Sequence, residues 1–175
     1  MPVNVTTSLA ELNAMDEAGF VAVCGPLFEH SPWIAARTWR RRPFPTLAAL
    51  HKELVATVQQ AARQEQLALI SAHPDLVGRL AREGKLSRNS TAEQAAAGLS
   101  RLSAGEVAVF ERYNREYREK FDFPFVICAR ENRKEAILAA FPVRLAHTRE
   151  QEIATALAEI GTIARFRLRD AVTEG

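Results

Sequence analysis

At residues 121–129 the chain reads "FDFPFVICA", and whether this segment pairs as a strand separates an all-helical protein from a mixed one. Phe121, Phe123 and Phe125, followed by Val126 and Ile127, make it dense in the aromatic and β-branched residues that suit a pleated surface. Pro124 stands in its middle, where it removes a backbone donor that a ladder would need. A strand also requires a partner, and no other segment of the sequence looks extended. The segment is therefore read as an ordered connector crossing a helical core, and the chain as all-α.

The flanking sequence is dominated by helix signals. A Ser or Thr followed three residues later by Glu or Gln is the capping box that opens a helix, through reciprocal side chain to backbone hydrogen bonds. It recurs as "SLAE" at 8–11, "STAE" at 90–93, "SAGE" at 103–106 and "TREQ" at 148–151. Apolar residues return every three or four positions in Leu47, Leu50, Leu54 and Val58, and in Val107, Phe110, Tyr117 and Phe121 with Asn114 among them. Pro32 suits a first helical position and Thr46 a cap. These signals predict helices near 8–15, 16–24, 32–40, 46–64, 74–83, 90–99, 103–120, 132–141 and 148–172. The expected architecture is a single domain over 1–175, a bundle of about eight to nine helices. The polar interval "LAREGKLSRNS", 80–90, is expected at the surface.

With 175 residues, 47% of them hydrophobic and 25% charged, the composition is that of one soluble globular domain. A formal charge of +2 at pH 7 is too small to predict a polyanionic partner. Cys24 and Cys128 are too few and too far apart for a disulfide framework or a zinc cluster. No run is long enough to span a membrane, and the opening residues lack the layout of a signal peptide. A cytoplasmic protein that binds no membrane is the simplest expectation.

Three polar residues stand in unexpected places. In the last helix, at about 100° per residue, Ile153, Leu157, Ile160, Ala164 and Ala171 fall on one stripe, and so does Arg167. Arg165 and Arg169 project roughly 120° to 160° away, onto a solvated face. Arg167 either follows the stripe edge or pairs with a core carboxylate, or it holds an anion with its planar donor fork. His73 precedes Pro74 in "SAHPDL", which predicts a position at the N-terminus of a helix opened by Pro74, Asp75 and Leu76. There it is a cap, or, with a carboxylate beside it, a proton-transfer group. Glu93 could be that carboxylate, although as the last residue of "STAE" it has a capping task that competes.

With "SAHPDL", "STAEQAAAGL", "FDFPFVICAR" and "IARFRL" in this order, nearly the whole chain resembles the decarboxylases of 2-oxo-4-hydroxy-4-carboxy-5-ureidoimidazoline (OHCU). These enzymes complete the conversion of urate to (S)-allantoin. The resemblance implies an all-helical fold, a homodimer, a small-molecule substrate and a site with no cofactor and no metal. It implies His73 as the histidine of the "HPD" motif and Glu93 as the glutamate of the "EQ" pair. Arg167 is implied as the arginine before leucine on the final helix, and these three would be catalytic. Pro74, Ser90 and Gln94 would contact substrate, and backbone groups around Phe125, Val126 and Ile127 would line the pocket and read the ring. Asp122 stands where such proteins often carry glycine.

Two readings compete. One is a helical interaction module in which "RTWRRRPFP", 37–45, docks nucleic acid or an acidic partner through four arginines beside Trp39 and Phe44. The other is a metal hydrolase using His73, Asp75, Glu93 and His147, which no known ligand spacing supports. His30 and His51 are assigned surface or packing roles. The cysteines and tryptophans are assigned to the core.

Overall fold

The computed structural model describes residues 6–78 and 84–175, and nine α-helices carry almost all regular structure among them. The chain divides into two compact units, one formed by residues up to Leu69 with Gly161–Gly175, the other by Ile70–Ile160.

In the first unit, α1 (Leu9–Ala14) opens on the Ser8–Glu11 capping box and α2 (Glu17–Cys24) on the Asp16 carboxylate. A single 3-10 turn, Gly25–Leu27, leads to α3 (Trp33–Trp39). Next come α4 (Leu47–Gln60), capped by Thr46, and α5 (Arg63–Ser71), whose last residues belong to the second unit. Leu12, Phe20, Ile34, Leu50 and Leu54 are fully buried, each contributing about 1.5–3 kcal/mol of transfer free energy. The Thr38 and Thr57 hydroxyls meet at 2.7 Å in this core and tie α3 to α4. A two-residue parallel ladder joins β1 (Thr7–Ser8) to β2 (Val172–Thr173).

One helix was expected over 46–64, and the structure has two. The chain leaves helical geometry at Ala61 (ψ 155°). The Gln66 amide then donates to the Val58 and Gln59 carbonyls at 2.9 and 3.2 Å, and the Ala62 N–H donates to Glu65 at 3.1 Å. Side chains of α5 thus satisfy the end of α4 and the start of α5, and helix extends over residues for which none was expected.

The second unit holds α6 (Arg88–Ala96), α7 (Ala104–Phe121), α8 (Lys134–Leu145) and the first half of α9 (Arg149–Ala171). The connector expected over 121–129 runs from 122 to 133, Phe121 being the last residue of α7. It forms no strand, yet Phe123, Phe125, Val126, Ile127, Cys128 and Ala129 are all buried. Buried backbone outside a ladder needs other partners. Arg144 donates to the Val126 carbonyl at 2.5 Å, Glu159 accepts from the Cys128 N–H at 2.9 Å, and the Asn132 amide donates to the Cys128 carbonyl at 2.9 Å. Its rings stack into the unit, Phe125 lying 3.9 Å from Phe141 and 5.3 Å from Tyr117 between centroids. Helix α8 continues through Pro142 to Leu145 instead of ending at Phe141, its last turn anchored by the buried Arg144. In the expected surface loop 80–90, Gly84 and Lys85 are exposed, Arg88 to Ser90 already belong to α6, and residues 80–83 lie outside the described residues. Among the described residues no helix is long and apolar enough to cross a membrane.

Candidate active site

His73 is buried, at 7% exposure, immediately after α5, and its N–H donates to the Ile70 carbonyl at 3.1 Å. The expected helix over 74–83 does not open here. Residues 74–78 form a turn in which Val77 takes a left-handed conformation (φ 56°), and 79–83 lie outside the described residues. His73 therefore sits at the carbonyl end of one helix and not at the N–H end of the next, so the nearby helix end carries negative and not positive partial charge. The reason is tertiary. Asp75, which would have helped open a helix, gives its carboxylate to Arg118 of α7 at 3.0 and 3.1 Å. The Leu76 carbonyl accepts from the Asn114 amide at 2.8 Å, and the Val77 N–H donates to Gln94 Oε1 at 3.2 Å. Pro74, half-buried, follows His73 in this turn.

The start of α6 differs from the "STAE" expectation in a way that matters for Glu93. Ser87 is the cap, its hydroxyl accepting from the Ser90 N–H at 3.2 Å. Ser90 thus moves into the helix and Glu93 moves out of the capping position. Ser90, Glu93 and Gln94 are spaced i, i+3, i+4 and share one face. Ser90 and Gln94 are buried and Glu93 half-buried, whereas Thr91, Ala92, Ala95 and Ala96 are exposed. This face meets the turn after His73, because the Gln94–Val77 bond joins them. A backbone N–H can only donate, so it fixes the Gln94 amide with Oε1 toward Val77 and Nε2 as its remaining donor.

Phe125, Val126 and Ile127 lie in the same unit. Their three N–H groups meet no acceptor among the described residues. Unpaired donors in a buried segment are uncommon and call for an explanation, and an oxygen-rich ligand would supply one.

Arg167 belongs to the first unit. It is buried, as its place on the stripe predicted, and Arg169 is exposed. Its Nη2 pairs with Glu29 at 2.9 Å and its Nη1 donates to the Pro26 carbonyl at 3.4 Å, both side chains of the ion pair being 4% exposed. The core carboxylate considered as a partner exists and is Glu29. Sequence reasoning missed it, since its only signal is an acid inside the apolar run "GPLFEH".

Three of the four arginines of 37–45 are engaged within their own unit, and Arg40 is exposed. Arg37 pairs with Glu65 and lies over Trp33, Arg41 pairs with Glu53, and Arg42 donates to the Asn13 and Trp39 carbonyls while stacking on Trp39. Asp75 and His147 of the metal reading are bound to Arg118 and Glu152. No group of three or more candidate metal ligands occurs among the described residues.

A buried imidazole, a helix face of hydroxyl, carboxylate and amide, and open backbone donors thus lie in one helical unit. Residues 13–169 match the family model described as OHCU decarboxylase. An OHCU decarboxylase from Haloferax volcanii is 40% identical over 163 residues, covering 93% of this chain and 95% of that protein. A uric acid degradation bifunctional protein from Bacillus subtilis is 40% identical over 167 residues, 95% of this chain but 33% of its own length. Among solved structures, an (S)-allantoin synthase superposes with a TM-score of 0.73 at 27% identity, over 95% of this chain and 54% of that one. The chain belongs to the OHCU decarboxylase family.

Proposed function

We propose that this chain is a cofactor-independent carboxy-lyase that converts OHCU to (S)-allantoin and CO2 in urate degradation. The observation that carries the assignment of its residues is the cap at Ser87. It turns Ser90, Glu93 and Gln94 onto one face against the turn that follows His73. The substrate supplies its own electron sink: when the bond to the carboxylate breaks, the electron pair passes toward a ring C=N one bond away. Placement, charge control and proton transfer are what remain for the protein. His73, oriented by Glu93, withdraws the proton of the hydroxyl beside the carboxylate, and one of this pair handles the proton delivered to the new stereocentre. Delivery from one face gives one hand of product. Ser90, Gln94 through Nε2, Pro74 and the backbone donors of Phe125, Val126 and Ile127 bind the ring and its substituents. The resemblance also implies Arg167, whose guanidinium Glu29 holds in orientation, as the residue that steadies the anion.

His73→Asn and Glu93→Gln are expected to keep the melting temperature and lower turnover about a hundredfold or more, measured with freshly generated OHCU by the optical activity of the product. Full activity in either variant would remove that residue from the mechanism. The family resemblance also implies a homodimer, and light scattering is expected to give the mass of two chains.

A further inference from the structure

Next to Phe125–Ile127 the second unit contains a buried polar cluster that the proposed chemistry does not use. Glu152, in the first turn of α9, is 0% exposed. Its Oε1 accepts from the Tyr117 hydroxyl at 2.5 Å and from Arg144 Nε at 2.7 Å, and its Oε2 accepts from His147 Nδ1 at 2.8 Å. Burial, then the Glu152 carboxylate, hold the Tyr117 phenol well above its ordinary value, so it remains a donor. Arg144 spends the rest of its fork on the Val126 carbonyl at 2.5 Å and on the Tyr117 oxygen at 3.5 Å, with its guanidinium 4.2 Å from the Phe125 ring centroid.

Stability alone accounts poorly for this arrangement, since apolar side chains of similar volume often replace a buried ion pair without loss. What the ion pair adds is direction. The Val126 carbonyl and the Ile127 N–H belong to one planar, trans peptide group and point opposite ways. A guanidinium that fixes the carbonyl therefore fixes the line along which that N–H donates. The next peptide group is held as well, its Cys128 N–H donating to Glu159, while the Ile127 N–H itself meets no acceptor among the described residues.

We propose that Arg144, locked by Glu152, is a positioning residue: it clamps the Val126 carbonyl and thereby aims the Ile127 N–H at the substrate. This rests on the reading that the backbone of Phe125–Ile127 contacts substrate. A bond to the ring that exists both before and during the reaction contributes to binding in both states, so its loss acts on KM more than on kcat.

The test uses the intact chain with Glu152→Gln, Arg144→Lys, and the double variant Arg144→Met with Glu152→Leu, which leaves neither charge buried alone should a single variant fail to fold. KM for OHCU is expected to rise about tenfold or more with kcat changed less than about threefold, as for other supporting residues that orient a site. Arg144→Lys, which keeps the charge but not the fork, is expected to fall between wild type and the double variant. In amide NMR spectra the Ile127 resonance is expected to move on adding (S)-allantoin to the wild type, and to move in the variants without ligand. Variants that melt earlier but keep wild-type KM and an unmoved Ile127 amide would overturn the positioning role, leaving the reading of the pocket intact. A wild-type Ile127 amide indifferent to (S)-allantoin would overturn that reading, and this inference with it.

Discussion

Asp122 closes α7 in a left-handed conformation (φ 63°, ψ 29°), its N–H donating to the Arg118 carbonyl at 2.8 Å. That geometry costs an ordinary L-residue about 1–2 kcal/mol and glycine almost nothing, while glycine gives up about 0.5–1 kcal/mol in backbone freedom. Asp is among the few residues that tolerate the position, because its short polar side chain bonds locally. Asp122→Gly is therefore expected to raise stability by about 0.5 kcal/mol, and Asp122→Val to lower it by about 1–2 kcal/mol, both read from urea unfolding midpoints. The glycine expected at this position from the resemblance would serve the same backbone conformation. Glycine and aspartate serve the same turn here for different reasons.

At the scale of the element, the start of α6 separates two serines that the sequence makes nearly equivalent. Ser87→Ala removes the cap and is expected to cost about 1 kcal/mol of stability, measured by thermal or chemical unfolding. Ser90→Ala leaves that cap in place and is expected to act on KM for OHCU. The boxes "SLAE", "SAGE" and "TREQ" all form as read, with reciprocal bonds within 3.2 Å, because their partners lie three residues apart and need nothing from elsewhere. "STAE" fails because Ser90 is wanted on a buried face, a fact set by the turn it packs against. The break at Ala61 and the turn at 74–78 escape sequence reading for the same reason: the groups that end or prevent helix there are side chains from other segments. Of the residues proposed to act on the substrate, His73, Glu93 and Arg167 are legible in the sequence from their type, position and resemblance. Glu29, Arg144 and Glu152 are not, since each matters through a partner that periodicity cannot point to; Arg167 and Glu29 are 138 residues apart in sequence.

For the whole molecule, the two thiols and the buried phenol tie stability to alkaline pH. Burial pushes Cys24 up to about 12 from its ordinary 9.0 and raises Cys128 as well, and Tyr117 is raised from 10.0. Each folded group keeps a proton that the unfolded chain releases. Stability is thus fully present below pH 9 and falls as pH rises from there toward 12, since the unfolded state then binds fewer protons. The melting temperature is expected to decline through that window, and the native protein at pH 8 to resist thiol reagents that modify both cysteines once it is unfolded. Flat stability from pH 8 to 11 would contradict the burial of these groups. The short ladder between Thr7 and Val172 bears on how such a chain is made. Domains commonly fold in order of synthesis, the N-terminal one first. Here the unit that contains the first residues also needs Gly161–Gly175, so a nascent chain cannot complete it until translation has passed that point. The continuous unit, Ile70–Ile160, has all of its residues joined before the other unit has all of its own.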